Sequence, residues 1–191
     1  MKIALDAMGG DYGPSVVVDG AVSFLERSPR RVADDVTLVL VGDRDVVARH
    51  LGRRGRRLPI EIRHASQVIA MDEHPAEALK NKPGSSMMVM AKLHKEGEVQ
   101  AMVSPGNTGA MMAASLFALG RIEGVDRPAI AATFPSRKNP TVVLDVGANV
   151  GCRSSQLVQF ALMGDAYSRG VFKIDRPRVA LLNVGSERTK G

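Results

Sequence analysis

Short apolar runs rich in β-branched residues alternate along the chain with longer segments of helical periodicity, and this alternation constrains the fold more than any other feature of the sequence. Lys2–Asp6 predicts a buried strand. Pro14–Arg27 predicts a helix with its proline at the start, where a missing N–H costs nothing. Val36–Val41, closed by Gly42 and Asp43, predicts the next strand, Asp45–Leu51 an amphipathic helix and Leu58–Arg63 a further strand. Downstream, Ser85–Glu96 reads as helix, Val99–Ser104 as strand and Thr108–Leu119 as helix. Ala129–Phe134 and Thr141–Asp145 read as strands, Ser155–Arg169 as helix and Arg178–Asn183 as a last strand. The pattern predicts an α/β fold: a doubly wound, mostly parallel sheet with helices on both faces. At 191 residues and 45% hydrophobic composition, the chain fits a single α/β domain over residues 1–191, without repeat or linker.

The formal net charge is +6, but it is local. Arg49, Arg53, Arg54, Arg56, Arg57 and Arg63 face one acid, Glu61, within fifteen residues. This cluster reads either as a solvated surface or as an electrostatic dock for an acidic protein or an anionic membrane. With no Trp, two Tyr and five Phe, there is little material for stacking bases, so no nucleic-acid partner is expected. The single cysteine, Cys152, excludes an intramolecular disulfide and fits a reducing, cytoplasmic setting. It lacks a paired histidine nearby and is set aside as a nucleophile. His50, His64, His74 and His94 lack metal-ligand spacing, so no metal is expected. No apolar run approaches the ~20 residues of a membrane span, and no secretion signal is evident.

Open α/β sheets bind ligands outside the carboxyl ends of their strands. Four strand ends here carry polar or glycine-rich turns: Asp6–Asp11, Ser104–Gly109, Asp145–Asn149 and Asn183–Lys190. Ser104, Gly106, Asn107, Thr108 and Gly109 follow a strand and open a helix, so they suit phosphate through close backbone approach and free N–H groups; the same pattern describes a tight turn capped by Asn107 or Thr108. It matches neither the P-loop nor the dinucleotide fingerprint. Asp6 and Asp11 flank two glycines and could orient a base or a metal, or simply form a polar turn. Lys190, in the turn with Asn183 and Gly185, could neutralise a phosphate or an oxyanion, or be a solvated lysine. Met87, Met88, Met90, Met111 and Met112 could line an acyl-chain groove or form a core stripe.

Together these segments resemble the bacterial phosphate acyltransferase family (acyl-ACP:phosphate acyltransferases), end to end. The resemblance lies in Lys2–Asp11 with Pro14, in Pro75–Lys82 with Ser85–Met87, and in Gly106–Ala110. It continues through Gly120–Ala129, Leu144–Asn149 and Leu182–Glu187 with Lys190 and Gly191. Two positions depart from the family pattern: Pro105 replaces a usual Ala, and Gly151 a usual Asp. Members continue well past this length, so the resemblance implies the N-terminal part of a longer enzyme. The fold it implies is isocitrate/isopropylmalate dehydrogenase-like and phosphotransacetylase-like, here incomplete.

The activity it implies is transfer of a fatty acyl group from acyl carrier protein to inorganic phosphate, without a cofactor, in phospholipid synthesis. Lys190, Asn183, Asn149, Asp145 and Asp6 are then the expected catalytic residues. Ser104, Gly106, Asn107, Thr108, Gly109 and Gly185 are expected at phosphate, and Arg53, Arg54, Arg56 and Arg57 at the carrier protein. A homodimer and peripheral contact with an anionic membrane are implied as well. Alternatives are a phosphotransacetylase-like enzyme using acyl-CoA, a truncated binding module without activity, and, by fold analogy alone, a nicotinamide dehydrogenase.

Overall fold

A computed structural model describes residues 1–183 and 185. The chain divides into two compact units, residues 1–120 and 121–191. In the first, four strands form one sheet: β1 (Lys2–Asp6), β2 (Thr37–Gly42), β3 (Ile60–His64) and β4 (Ala101–Val103), in the order β3-β2-β1-β4, all pairs parallel. Successive side chains point to opposite faces of a strand, and the two faces bury different clusters. Leu38 and Leu40 of β2 pack with Val18, Val22 and Leu25 of α1 (Gly13–Arg27) and Val47 of α3 (Arg44–Gly55). Val39, Val41 and Ala4 pack on the other face with Met90 and Leu93 of α5 (Ser86–Lys95). Being covered on both sides is what makes β2 an unbroken apolar run. Each large side chain so buried contributes roughly 1.5–3 kcal/mol.

Local signals set the helix ends. Asp43 caps α3 by accepting from the N–H groups of Asp45 and Val46 at 3.0 and 2.9 Å. Gly52, at φ 57°, breaks the helical geometry near its end. α6 (Thr108–Leu119) stops at Gly120, whose φ of 79° a side chain would resist. Two short helices, α2 (Arg30–Asp35) and α4 (Pro75–Asn81), were not expected from periodicity; at six and seven residues they are too short to show one. Met87 and Met90 are fully buried, and Met88 and Met111 pack against the same clusters, so these four methionines belong to the core.

In the second unit, β5 (Ala131–Phe134) and β6 (Thr141–Leu144) form an antiparallel pair of their own. The short 135–140 connection explains this: a parallel crossover needs a dozen or more residues. α7 (Ser154–Phe172) packs on β6, with Gly164 beside Leu144. The expected strand over Arg178–Asn183 is corrected: these residues form no strand, and Val179, Leu181 and Leu182 are exposed. Apolar spacing alone cannot make a strand without a ladder partner, and among the described residues none pairs with this segment. No described helix is long and apolar enough to cross a membrane.

Candidate functional site

The order β3-β2-β1-β4 places the switch point between β1 and β4, where successive crossovers leave in opposite directions. The turns after these two strands meet there. Asp6, 1% exposed, ends β1. Its Oδ1 accepts from the N–H groups of Met8 and Gly9, both at 3.1 Å, and its Oδ2 accepts from Ser104 Oγ at 2.8 Å. Ser104 Oγ in turn accepts from Gly106 N at 3.1 Å. One buried carboxylate therefore organises both turns. A Cβ on Gly9 would stand 2.7 Å from Asp6 Oδ2 and 2.9 Å from Gly106 N, so glycine is the residue that lets the backbones touch.

Asn107 is buried at the start of α6. Its Oδ1 accepts from Ala110 N at 3.0 Å, and its Nδ2 donates to the carbonyls of Ala70, Met71 and Glu73 at 3.4, 3.1 and 3.0 Å. The side chain thus caps the helix and ties the 70–73 segment to it. That segment is held again by Glu73, which accepts from Ala70 N at 2.6 Å and from Lys82 Nζ at 2.5 Å. Hydrogen bonds from Ala70 and then Lys82 outweigh desolvation and keep the Glu73 carboxyl below its usual range. No hydrogen bond among the described residues takes the N–H groups of Thr108 or Gly109, which remain free for an acceptor at the helix start.

Beside these turns lies a cavity of about 230 Å³, lined by the Gly9–Gly13 turn, Val16, Val17 and Pro105. Tyr12, Val16 and Val17 carry no motif that would mark them as site residues. The valines belong to the run Val16–Val18, three residues after Gly13, which helix periodicity absorbs.

Arg53, Arg54, Arg56 and Arg57 are exposed at the end of α3, just before β3 begins. They sit at the amino edge of the sheet, opposite the Ser104 turn, separated by at least the length of β1, about 17 Å for a five-residue strand. Arg54 pairs with Glu26, whose carboxyl is lowered chiefly by that hydrogen bond. Arg63 pairs with Glu98.

In the second unit, Asp145 follows β6. Its Oδ1 accepts from Ile130 N at 2.7 Å, and its Oδ2 from Gly147 N at 3.2 Å and Asn149 N at 2.7 Å. Burial pushes this carboxyl up, but backbone donors, Ile130 and Asn149 foremost, outweigh it and hold the pKa below the usual range. Asn149 Nδ2 donates to Pro128 O at 2.9 Å. Asn183 Oδ1 accepts from Gly185 N at 2.8 Å. The structure therefore brings Asp6 to Ser104 and Gly106 in one unit, and Asp145 to Asn149 in the other. Lys190 lies outside the described residues. Gly151 is exposed at φ 70°, and Cys152 is half-buried and unbonded. No group of three or more His, Cys, Asp or Glu among the described residues could hold a metal.

The sequence model of a family described as "Fatty acid synthesis protein" matches residues 1–191. The chain is 48% identical over 191 residues to "Phosphate acyltransferase" of Pelotomaculum thermopropionicum, covering 100% of this chain and 54% of that protein. It is 47% identical over 193 residues to "Phosphate acyltransferase" of Halorhodospira halophila, covering 100% and 55%. With the protein of that name from Anaeromyxobacter sp. it shares 46% over 193 residues, covering 99% and 51%. The chain spans about half the length of these relatives.

Proposed function

The chain belongs to the fatty acid synthesis protein family, and on that premise we propose that the protein to which these residues belong transfers a fatty acyl group from acyl carrier protein to inorganic phosphate, giving acyl phosphate for phospholipid synthesis. The observation that carries the reading is the junction of two glycine turns at the sheet's switch point, joined through Asp6 and Ser104 beside a helix start with free N–H groups.

A thioester is already activated. A phosphate oxygen attacks its carbonyl carbon, the new C–O bond forms, the C–S bond breaks, and the carrier leaves as thiolate and takes a proton. The protein has to position phosphate and stabilise the tetrahedral oxyanion, and needs no nucleophile of its own. Thr108 and Gly109 offer backbone N–H groups to phosphate, while Asp6, Ser104 and Gly106 set the turn that presents them. Asn107 holds that helix start. In the second unit, Asn149 and Asn183 offer amide hydrogen bonds and Lys190 a positive charge to phosphate or oxyanion, Gly185 shapes the turn that carries Asn183, and Asp145 orients Asn149 by accepting from its backbone N–H. The exposed arginines receive the acidic carrier, and the protein works as a homodimer in peripheral contact with an anionic membrane.

The test is acyl phosphate formation, trapped as hydroxamate, from acyl-ACP and phosphate. It is run with the 191-residue chain and with a version extended to the length of its relatives. Turnover with acyl-ACP supports the proposal, and Lys190→Ala in the extended version then lowers it. Turnover with acyl-CoA but not acyl-ACP overturns the carrier assignment. Carrier binding without turnover in the extended version overturns the enzymatic one.

A further inference from the structure

The cavity against α1 differs chemically from the α6 start beside it. Its side-chain lining is Tyr12, Val16, Val17 and Pro105, with the glycines of the Gly9–Gly13 turn. Asp11 lines it, and no lysine, arginine or histidine among the described residues does. An anion entering would meet a carboxylate without a counter-charge, whereas an uncharged apolar group would meet valine, proline and an aromatic ring. The mouth leaves this apolar surface open to solvent: Tyr12 is 81% and Val16 56% exposed. Gly10, at φ 87°, also keeps the space open, since a Cβ there would rest 3.4 Å from the Pro105 ring.

We propose that this cavity receives the acyl chain of the thioester donor, and not the phosphate acceptor. That the occupant is an acyl thioester rests on the function proposed above; that it is apolar rests on the lining alone. Affinity therefore rises with the length of the acyl chain, by less than the roughly fourfold per methylene that full burial would give, because the mouth is open to solvent.

The sequence supplies its own probe. The chain has two tyrosines and no tryptophan, so Tyr167→Phe leaves Tyr12, at the cavity, as the only tyrosine. Acyl thioesters of N-acetylcysteamine with four to twelve carbons and a terminal bromine are titrated against this variant, and quenching of tyrosine emission is followed. The expected result is saturable quenching whose affinity climbs with chain length and is unaffected by inorganic phosphate. Val17→Phe, which fills the cavity, weakens it at least about tenfold. Val16→Asp puts a carboxylate at the mouth and does the same; it sits at an exposed position in the first turn of α1, where a negative charge suits the helix, so the fold survives. Absence of saturable quenching, equal affinity in both variants, or displacement by phosphate each overturns the proposal. Binding without acyl phosphate formation by the extended protein would instead overturn the function proposed above and leave the cavity assignment standing.

Discussion

Replacing Asn107 by Ala removes a helix cap and a tie between two segments in one step. The cap bond to Ala110 N contributes about 1 kcal/mol by analogy with other N-cap losses. The amide nitrogen carries two hydrogens for three nearby carbonyls, so two bonds of about 1 kcal/mol each go as well. The site is buried, so water does not readily replace them. The expected loss is about 2–4 kcal/mol, read from urea unfolding followed by circular dichroism. Two further variants divide this sum. Asn107→Ser keeps an acceptor for the cap and loses the donors, so it falls between Ala and wild type. Asn107→Asp keeps the cap and gains at the helix start, but turns an oxygen toward the carbonyls of Met71 and Glu73, and is therefore no better than Ser. An Ala variant within about 0.5 kcal/mol of wild type, the scatter of ordinary surface substitutions, refutes the reasoning. So does an Asp variant as stable as wild type.

Three shorter predictions follow. Asp145 has a lowered pKa in the folded state, so its stabilising contribution is complete above the ordinary value of 3.8 and is lost as pH falls through the lower folded value. Asp145→Asn removes this acid-side loss, seen as a flatter stability profile below pH 3.8, and an unchanged profile refutes it. Arg53→Gln, Arg56→Gln and Arg57→Gln together weaken carrier-protein association and flatten its salt dependence, whereas Arg54→Gln, already paired with Glu26, changes it least; salt-independent association by wild type rules out the docking role. Gly20→Ala, in an exposed helical position where a Cβ would meet nothing within 4 Å, raises stability by about 0.5–1 kcal/mol, and a lower melting temperature would contradict this.

The first unit was legible where burial decides structure. β1 is Lys2–Asp6 and α6 is Thr108–Leu119, as the periodicity predicts, because a strand covered on both faces and a capped, glycine-stopped helix both leave strong local marks. The segment around Arg178–Asn183 was not legible, since whether an apolar alternation becomes a strand depends on a neighbour that the local pattern does not contain. At the candidate site, residue types were found more readily than their tasks. Asn107 was marked as a phosphate ligand or a cap. The structure shows its amide engaged by Ala110 and by three carbonyls more than thirty residues away, a long-range tie that no spacing rule encodes. The arginine cluster was visible as charge, but its position at the edge opposite the glycine turns follows only from the direction in which α3 runs.

The same long-range economy bears on how the two substrates would meet. The cavity assigned to the acyl chain and the helix start assigned to phosphate are separated by the contact of Gly9 with Gly106, over the Asp6 carboxylate. No side chain fits between those backbones. Gly9→Ala would place a Cβ 2.7 Å from Asp6 Oδ2 and 2.9 Å from Gly106 N, forcing the turns apart by several tenths of an ångström. Overpacking of this kind costs about 1–3 kcal/mol of stability, with Gly20→Ala as the control for alanine itself. The larger effect falls on rate, because a displacement near 1 Å between reacting groups can cost about 100-fold. In the extended protein, kcat for acyl phosphate formation then drops by roughly one order of magnitude, while KM for thioester and for phosphate each move less, since Gly9 lines the cavity only through its backbone and its added Cβ meets Asp6 and Gly106. A Gly9→Ala enzyme with undiminished kcat would mean that the reacting carbonyl and the attacking oxygen do not meet at this junction.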